Sequence, residues 1–253
     1  MQDHQSKINK VAWSYRAYEH WVRCSGPPDQ AAAQMRDDPA FFLRHDLPYL
    51  GNVEGKRVIN LLGSNGRKAV PLSLLGADVS VVDISPEGAR YAQELAAAAG
   101  VQINYLIADV MELPLQDYAS SFDLAYMEGG VFHYFADLAR FAQIIYDILS
   151  PSGRMVASDF HPIRKCLSVN EDRGLFTGNY FDEQFHECDV AYQQFFPDEE
   201  QNNFPKCQLR YWTLGEIVTA FAGAGLTIEQ LVELPHPKFA DIPGQFILTA
   251  NKP

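Results

Sequence analysis

Arg57-Val-Ile-Asn60-Leu-Leu-Gly63-Ser64-Asn65-Gly66-Arg-Lys-Ala-Val-Pro71-Leu-Ser-Leu-Leu-Gly76-Ala-Asp-Val-Ser-Val-Val-Asp83-Ile84 is the stretch that decides the fold. An apolar run from Val58 to Leu62 breaks into Gly63-Ser64-Asn65-Gly66, a helix-like apolar stretch follows, and a second run, Val79 to Val82, ends on Asp83. The order is strand, tight turn, helix, strand, acid. In a parallel sheet the C-terminal strand ends open onto one crevice, which places the turn and Asp83 side by side. Glycines let backbone N–H groups approach a ligand, and a carboxylate at the next strand end can accept both hydroxyls of a ribose. A nucleoside-containing cofactor is the first inference. A glycine pair after a strand is also an ordinary β-to-α turn, and no Gly-x-Gly-x-x-Gly dinucleotide fingerprint can be placed here. Asp83 tips the balance, because a purely structural carboxylate has less reason to end a strand.

The same rhythm continues downstream. Strand 58–62, helix 66–75, strand 79–83 and helix 86–99 lead to strand 103–107, strand 122–126, helix 136–149 and strand 154–158. Ser85-Pro86 supplies an N-cap and a proline at the first helical position, Gly100 ends that helix, and Pro71 requires a bend or an early-turn position. Five strands separated by helices predict an α/β, doubly wound parallel sheet. Their C-terminal ends carry Gly63 to Gly66, Asp83, Asp109, Glu128 and Asp159 to His161, so the candidate polar positions share one rim. Thr213-Leu-Gly-Glu216 has the form of a capping box and opens a helix to Ala222. Strands 226–233 and 245–250 follow with no helix between them. They should pair antiparallel, giving a seven-stranded, mostly parallel, Rossmann-like sheet with an antiparallel last strand.

Two regions lie outside that rhythm. Residues 11–23 place Trp13, Tyr15, Tyr18 and Trp21 at helical spacing, and shorter helices are expected at 29–36 and 39–45. Such a stripe is ordinarily core packing; the functional alternative is a helical lid, residues 1–54, over the domain 55–253. Segment 161–212 holds 10 of the chain's 31 aromatics, more than its share, and alternation in Phe185–Tyr192 and Cys207–Tyr211 suggests two added antiparallel strands. It either packs on itself or roofs the crevice as a substrate cap.

Composition narrows the function. A formal charge of −12 argues against nucleic acid or an anionic membrane as partner. Cys24, Cys166, Cys188 and Cys207 are widely spaced without Cys-x-x-Cys, so neither a disulfide framework nor a metal site is indicated, and reduced thiols fit a cytoplasmic protein. No apolar stretch of about 18 residues is present.

Taken together, Val58-Ile-Asn-Leu-Leu-Gly-Ser-Asn-Gly66, Val81-Val-Asp83-Ile-Ser-Pro86, Ala108-Asp109-Val-Met-Glu-Leu-Pro114, Phe122-Asp-Leu124 and Leu149-Ser-Pro-Ser-Gly-Arg154 resemble the class I S-adenosylmethionine-dependent methyltransferases over roughly residues 55–251. The resemblance is closest to the small-molecule enzymes, since no Asn-Pro-Pro-Tyr follows the fourth strand. It implies S-adenosyl-L-methionine as cofactor. The methionine part would pass Gly63, Ser64, Asn65 and Gly66, Asp83 would hold the ribose, Asp109 would meet the adenine amino group, and Ile84 and Val110 would flank the base. The family's loop ordinarily carries an acid at the position of Asn60 and glycines at those of Leu62 and Ser64. Asn60, Glu128 or Tyr18 therefore remain as groups for the methionine ammonium.

Methyl transfer from a sulfonium is an in-line displacement, in which the protein positions the reactants and excludes water. Glu128, His133 and His161 are the candidate catalytic groups, each with a structural alternative as an orienting or capping residue. The aromatic segments favour a flat or apolar small-molecule acceptor, handled by a monomer or homodimer. The competing functions are an aminopropyl transferase, which needs a more acidic pocket, a nicotinamide-dependent dehydrogenase, and a non-catalytic small-molecule binding protein on the same scaffold.

Overall fold

The computed structural model describes residues 1–170 and 173–253, so that part of the 161–212 insert lies outside the described residues. The chain opens with helices α1 (Gln2–Ser14), α2 (Ala17–Ser25), α3 (Pro28–Asp37) and α4 (Leu47–Leu50). The continuous helix expected over 11–23 is instead two. Arg16 takes a left-handed φ of 55°, and its guanidinium lies 4.4 Å over the Phe196 ring while pairing with Glu19 and Glu200. Tertiary contacts to the insert thus break a helix whose local periodicity is unbroken.

Strands β1 (Arg57–Leu61), β2 (Asp78–Asp83), β3 (Asn104–Ile107), β4 (Phe122–Glu128) and β5 (Leu149–Phe160) alternate with helices α5 (Ala69–Leu74), α6 (Pro86–Ala99), α7 (Leu115–Tyr118) and α8 (Leu138–Ile148). The insert contributes hairpin β6 (Leu167–Asn170) and β7 (Arg173–Phe176), and hairpin β8 (Phe185–Asp189) and β9 (Lys206–Arg210) with α9 (Asp198–Gln201) between its strands. The chain ends with α10 (Leu214–Gly223), β10 (Thr227–Pro235) and β11 (Pro243–Asn251). Among the described residues the main sheet has seven strands in the order β10-β11-β5-β4-β1-β2-β3. The five that alternate with helices are parallel to one another, whereas β11 runs antiparallel to both β5 and β10. The expected sheet is therefore found, together with the β8–β9 pair; the β6–β7 hairpin is an addition to them.

Residues along each central strand alternate between two cores. Ile59, Leu61, Ala125 and Met127 pack with Phe141 and Ile145 of α8 and Phe221 of α10. Val58, Leu124 and Tyr126 face the other way, against Leu43, Leu50 and Leu72. Helix α6 follows the local code: Ser85 Oγ accepts the Gly88 N–H at 3.1 Å, Pro86 is its first residue, and Gly100 closes it at φ 75°. Helix α5 is shorter than expected because the turn extends to Lys68, which puts Pro71 in the first turn, where no helical N–H partner is required. Both halves of the Thr213–Glu216 capping box are present.

Helix α1 is held differently. It is mostly polar, and Gln5 and Asn9 are buried at 0% and 4% exposure, which calls for hydrogen bonds rather than apolar packing. Asn9 donates to the Gln208 carbonyl of β9 at 2.9 Å and accepts the Gln208 N–H at 2.7 Å. Gln5 donates to the same carbonyl at 3.0 Å, and Gln2 accepts the Ala136 N–H at 2.6 Å. Amide side chains thus fasten α1 across the C-terminal strand ends.

Candidate functional site

A cavity of about 220 Å³ lies at the C-terminal ends of β1, β2, β3 and β4. Its floor is the 62–66 turn. Leu62 and Ser64 have φ of 52° and 47°, the left-handed region that L-residues rarely enter. These are the two positions at which the resemblance leads one to expect glycine, the residue that this backbone conformation favours. The associated strain is on the order of 1–3 kcal/mol per residue. Gly63 is needed for a different reason: a Cβ there would stand 2.6 Å from both Asn60 Oδ1 and Val81 Cγ1. Gly66 lies behind the turn, with Ala92 of α6 against it, and does not line the cavity as expected.

Asp83 holds this turn to the end of β2. Its Oδ2 accepts the Ser64 N–H at 2.9 Å and its Oδ1 the Ser85 N–H at 2.8 Å. Burial pushes its carboxyl above the ordinary value, opposed by those bonds. From the other side the Tyr105 hydroxyl donates to the Ser64 carbonyl at 2.6 Å. Asp109 caps a short turn by accepting the Met111 N–H at 2.9 Å, and it lines the cavity with Ile84 and Val110. Glu128, at the end of β4, is raised by desolvation, with Lys68 Nζ 4.0 Å away as the main opposing influence. Asn60 donates to the Tyr126 carbonyl at 3.2 Å, while its Oδ1 is buried without a partner.

Tyr18 is a correction. It is absent from the cavity wall, because its hydroxyl donates to Glu94 and its ring packs edge-on against Tyr91 of α6. The amino-terminal helices instead bring Trp13 and Trp21 to the wall, with Tyr134 and Phe135 beside them. Trp13 meets Tyr134 edge-on at 5.9 Å between ring centroids.

Neither histidine faces this cavity; both line a second one of about 310 Å³ beside it. One segment serves both spaces: Gly129 to Val131, Tyr134 and Phe135 line the first, Phe132 and His133 the second. Asp159 fixes its course by accepting the N–H groups of Gly130, Val131 and Phe132 at 2.8, 2.8 and 3.1 Å. Burial lowers His133 below the ordinary histidine value, so its ring is neutral near pH 7. His161 does not stand free as a catalytic group. Its Nδ1 accepts the Ile163 N–H at 3.1 Å, which leaves the proton on Nε2, 2.9 Å from Glu233 Oε1. It is the cap of the turn Pro162–Cys166.

A buried polar cluster beside Glu128 had no recognisable sequence signal. Asp46 Oδ2 accepts from the Tyr126 hydroxyl at 2.6 Å and lies 3.4 Å from Lys68 Nζ, which also donates to the Phe42 carbonyl at 2.9 Å. Residues 80 positions apart meet here. Only proximity in the fold reveals the cluster.

The sheet order and the antiparallel β11 are those of the Rossmann-like methyltransferase fold, and residues 62–157 match the family described as methyltransferase domain. The chain is 34% identical over 109 residues to a demethylmenaquinone methyltransferase of Thermus thermophilus, covering 42% of this chain and 48% of that protein. It is 30% identical over 135 residues to a ubiquinone biosynthesis O-methyltransferase of Azorhizobium caulinodans, covering 53% and 52%. It thus spans about half the length of these curated relatives. Among solved structures, an S-adenosylmethionine dependent methyltransferase from Mesorhizobium loti superposes with a TM-score of 0.63 at 24% identity, covering 87% of this chain and 99% of that one. The Burkholderia thailandensis 1,6-didemethyltoxoflavin-N1-methyltransferase does so with 0.59 at 21%, covering 100% and 90%.

Proposed function

We propose that this protein is an S-adenosylmethionine-dependent methyltransferase acting on a small-molecule acceptor. The observation that carries the proposal is the 62–66 turn: Leu62 and Ser64 hold left-handed backbone without being glycine, in a turn anchored by Asp83 on a cavity that also holds Asp109 and Glu128. A turn kept in a strained conformation argues for a ligand that needs it. This weakens the case for a scaffold that has lost its cofactor.

In this proposal Asp83 accepts the ribose hydroxyls, Asp109 meets the adenine amino group between Ile84 and Val110, and the unpartnered Asn60 Oδ1 joins Glu128 in holding the methionine ammonium. Bound S-adenosylmethionine supplies an electrophilic methyl group. The chain's own contribution is to seat the two reactants, exclude water beneath α1, and hold positive charge against the faces of Trp13 and Tyr134. Neutral His133 is the group able to accept a proton from the acceptor, where the attacking atom carries one.

Residues 1–54 act as a lid and 161–212 as a cap on the domain 55–253. The aromatic walls support a flat or apolar acceptor. The free thiols support a cytoplasmic setting, and no helix among the described residues is long and apolar enough to cross a membrane. A monomer or homodimer suffices, since one chain supplies both cavities. Calorimetric titration with S-adenosylmethionine, S-adenosylhomocysteine and NAD tests the proposal. Micromolar binding of the two adenosyl compounds and silence from NAD are expected, and binding of NAD alone refutes it.

A further inference from the structure

The second cavity is walled by the rings of Phe132, Phe160, Tyr211 and Trp212, and in a chain of net charge −12 it is the cations there that lack partners among the described residues. The Arg164 guanidinium lies over the Phe160 ring, 4.4 Å from its centroid, and pairs with no carboxylate among the described residues. Lys165 Nζ is buried without a hydrogen-bond partner among the described residues, 4.8 Å from the centroid of Tyr211 and 5.9 Å from that of Tyr180.

The described carboxylates around them have partners of their own. Asp159 is taken up by backbone N–H groups, Asp182 lies 3.0 Å from His186, Glu233 2.9 Å from His161, and Glu216 closes its capping box and stands 3.3 Å from Arg210. Burial lowers both Arg164 and Lys165 from their ordinary values and outweighs the opposing charges of Asp159 on Arg164 and of Asp182 and Glu216 on Lys165. A desolvated cation without a counter-ion, as at the buried Lys165 Nζ, is destabilising until an anion completes it, and the half-buried Arg164 carries a smaller part of that cost. Both residues belong to the turn that His161 caps, so their backbone positions are fixed in advance.

We propose that the second cavity seats the methyl acceptor, and that the acceptor is an aromatic or otherwise apolar molecule bearing an oxyanion, a carboxylate or a phosphate, which Arg164 and Lys165 hold. The proposal rests on the methyl-transfer reading above and narrows its substrate class. Phe160, Tyr211 and Trp212 bury the apolar body, and His133 on the same wall faces the nucleophilic end. A polyamine is repelled by the same two cations, which sets this site apart from that of an aminopropyl transferase.

The test is calorimetry on the protein saturated with S-adenosylhomocysteine, using 2-naphthoate, 2-naphthyl phosphate and 2-naphthamide as probes of one shape. At least one anion should bind roughly 10-fold or more tightly than the neutral amide, as loss of a charge-assisted hydrogen bond implies. Whichever anion binds more tightly identifies the oxyanion. Lys165→Met and Arg164→Met should each weaken that anion about 10-fold while leaving S-adenosylhomocysteine affinity unchanged and the melting temperature of the anion-free protein unchanged or raised. Equal binding of the amide, variants that keep full anion affinity, or no response to any probe overturns the proposal. A silent S-adenosylhomocysteine titration would instead overturn the methyl-transfer reading, and the acceptor role with it, whatever the anions do.

Discussion

Replacing Asp83 by Asn keeps the shape of the side chain and removes one of its two acceptors. Asp83 accepts the Ser64 N–H at 2.9 Å and the Ser85 N–H at 2.8 Å through separate oxygens. Whichever way the carboxamide turns, its NH2 group confronts one of those donors. The loss is one charge-assisted bond, about 1.5–3 kcal/mol, with a donor left without a partner. Burial already disfavours the charged form, so the neutral variant recovers part of that. A net loss of about 1–2 kcal/mol is expected, read as a lower urea midpoint at unchanged slope. The pH dependence has a definite sign. Because the folded carboxyl is raised, its contribution is fully present below the unfolded value of about 3.9 and is lost as pH rises through the folded value. The stability gap between wild type and Asp83→Asn should therefore narrow as pH rises across that window. Calorimetry should show S-adenosylhomocysteine binding about 10- to 100-fold more weakly, the equivalent of one charged acceptor lost to the ribose. Wild-type affinity in the variant would refute the ribose assignment, and an unchanged urea midpoint would refute the anchoring of the turn.

Three further substitutions probe other links. Gly63→Ala places a Cβ 2.6 Å from Asn60 Oδ1 and Val81 Cγ1, so urea unfolding should show a loss of about 1–3 kcal/mol; full stability would mean that this turn is looser than described. Asn9→Ala removes two bonds to Gln208, and hydrogen exchange should rise in α1 but not in β1 to β5, with a stability loss of about 1–2 kcal/mol; exchange rising equally throughout would contradict a lid fastened by amides. His20 is buried against the rings of Tyr192 and Phe195 and lowered to about 4, so its neutral form contributes stability above about 6.5 that is lost as pH falls toward about 4, on the order of 3 kcal/mol in full. His20→Phe should flatten that part of the acid dependence, and an acid profile identical to wild type would show that the titration lies elsewhere.

Local signals were legible wherever one side chain answers to its own stretch of backbone. The Ser85-Pro86 start, the Gly100 stop and the Thr213–Glu216 box are contacts between residues a few positions apart, and each is made as its spacing implies. The β8–β9 pair was readable from alternation because one face of the hairpin is buried against the rest of the molecule. Tyr18 misled for the opposite reason. An aromatic stripe says that a helix has an apolar side, but not which neighbour that side meets; here Tyr18 went to α6, and Trp13 and Trp21 went to the cavity. The polar α1 gave no apolar stripe to read, since Gln5 and Asn9 spend their burial on backbone partners about 200 residues away.

The amino-acid sequence by itself determined the sheet, because strand and helix periods, caps and glycine stops are properties of neighbouring residues, and their alternation admits few topologies. It also determined that Asp83, Asp109 and Glu128 share a rim, since parallel strands must end on the same side. Only the tertiary structure decided which aromatics line the first cavity, that His161 is a cap, that Asp46 meets Tyr126 and Lys68, and that Arg164 and Lys165 stand beside a second cavity with no carboxylate partner among the described residues. Those outcomes depend on distances between residues far apart in the chain, where burial and the supply of hydrogen-bond partners, rather than local periodicity, select the arrangement.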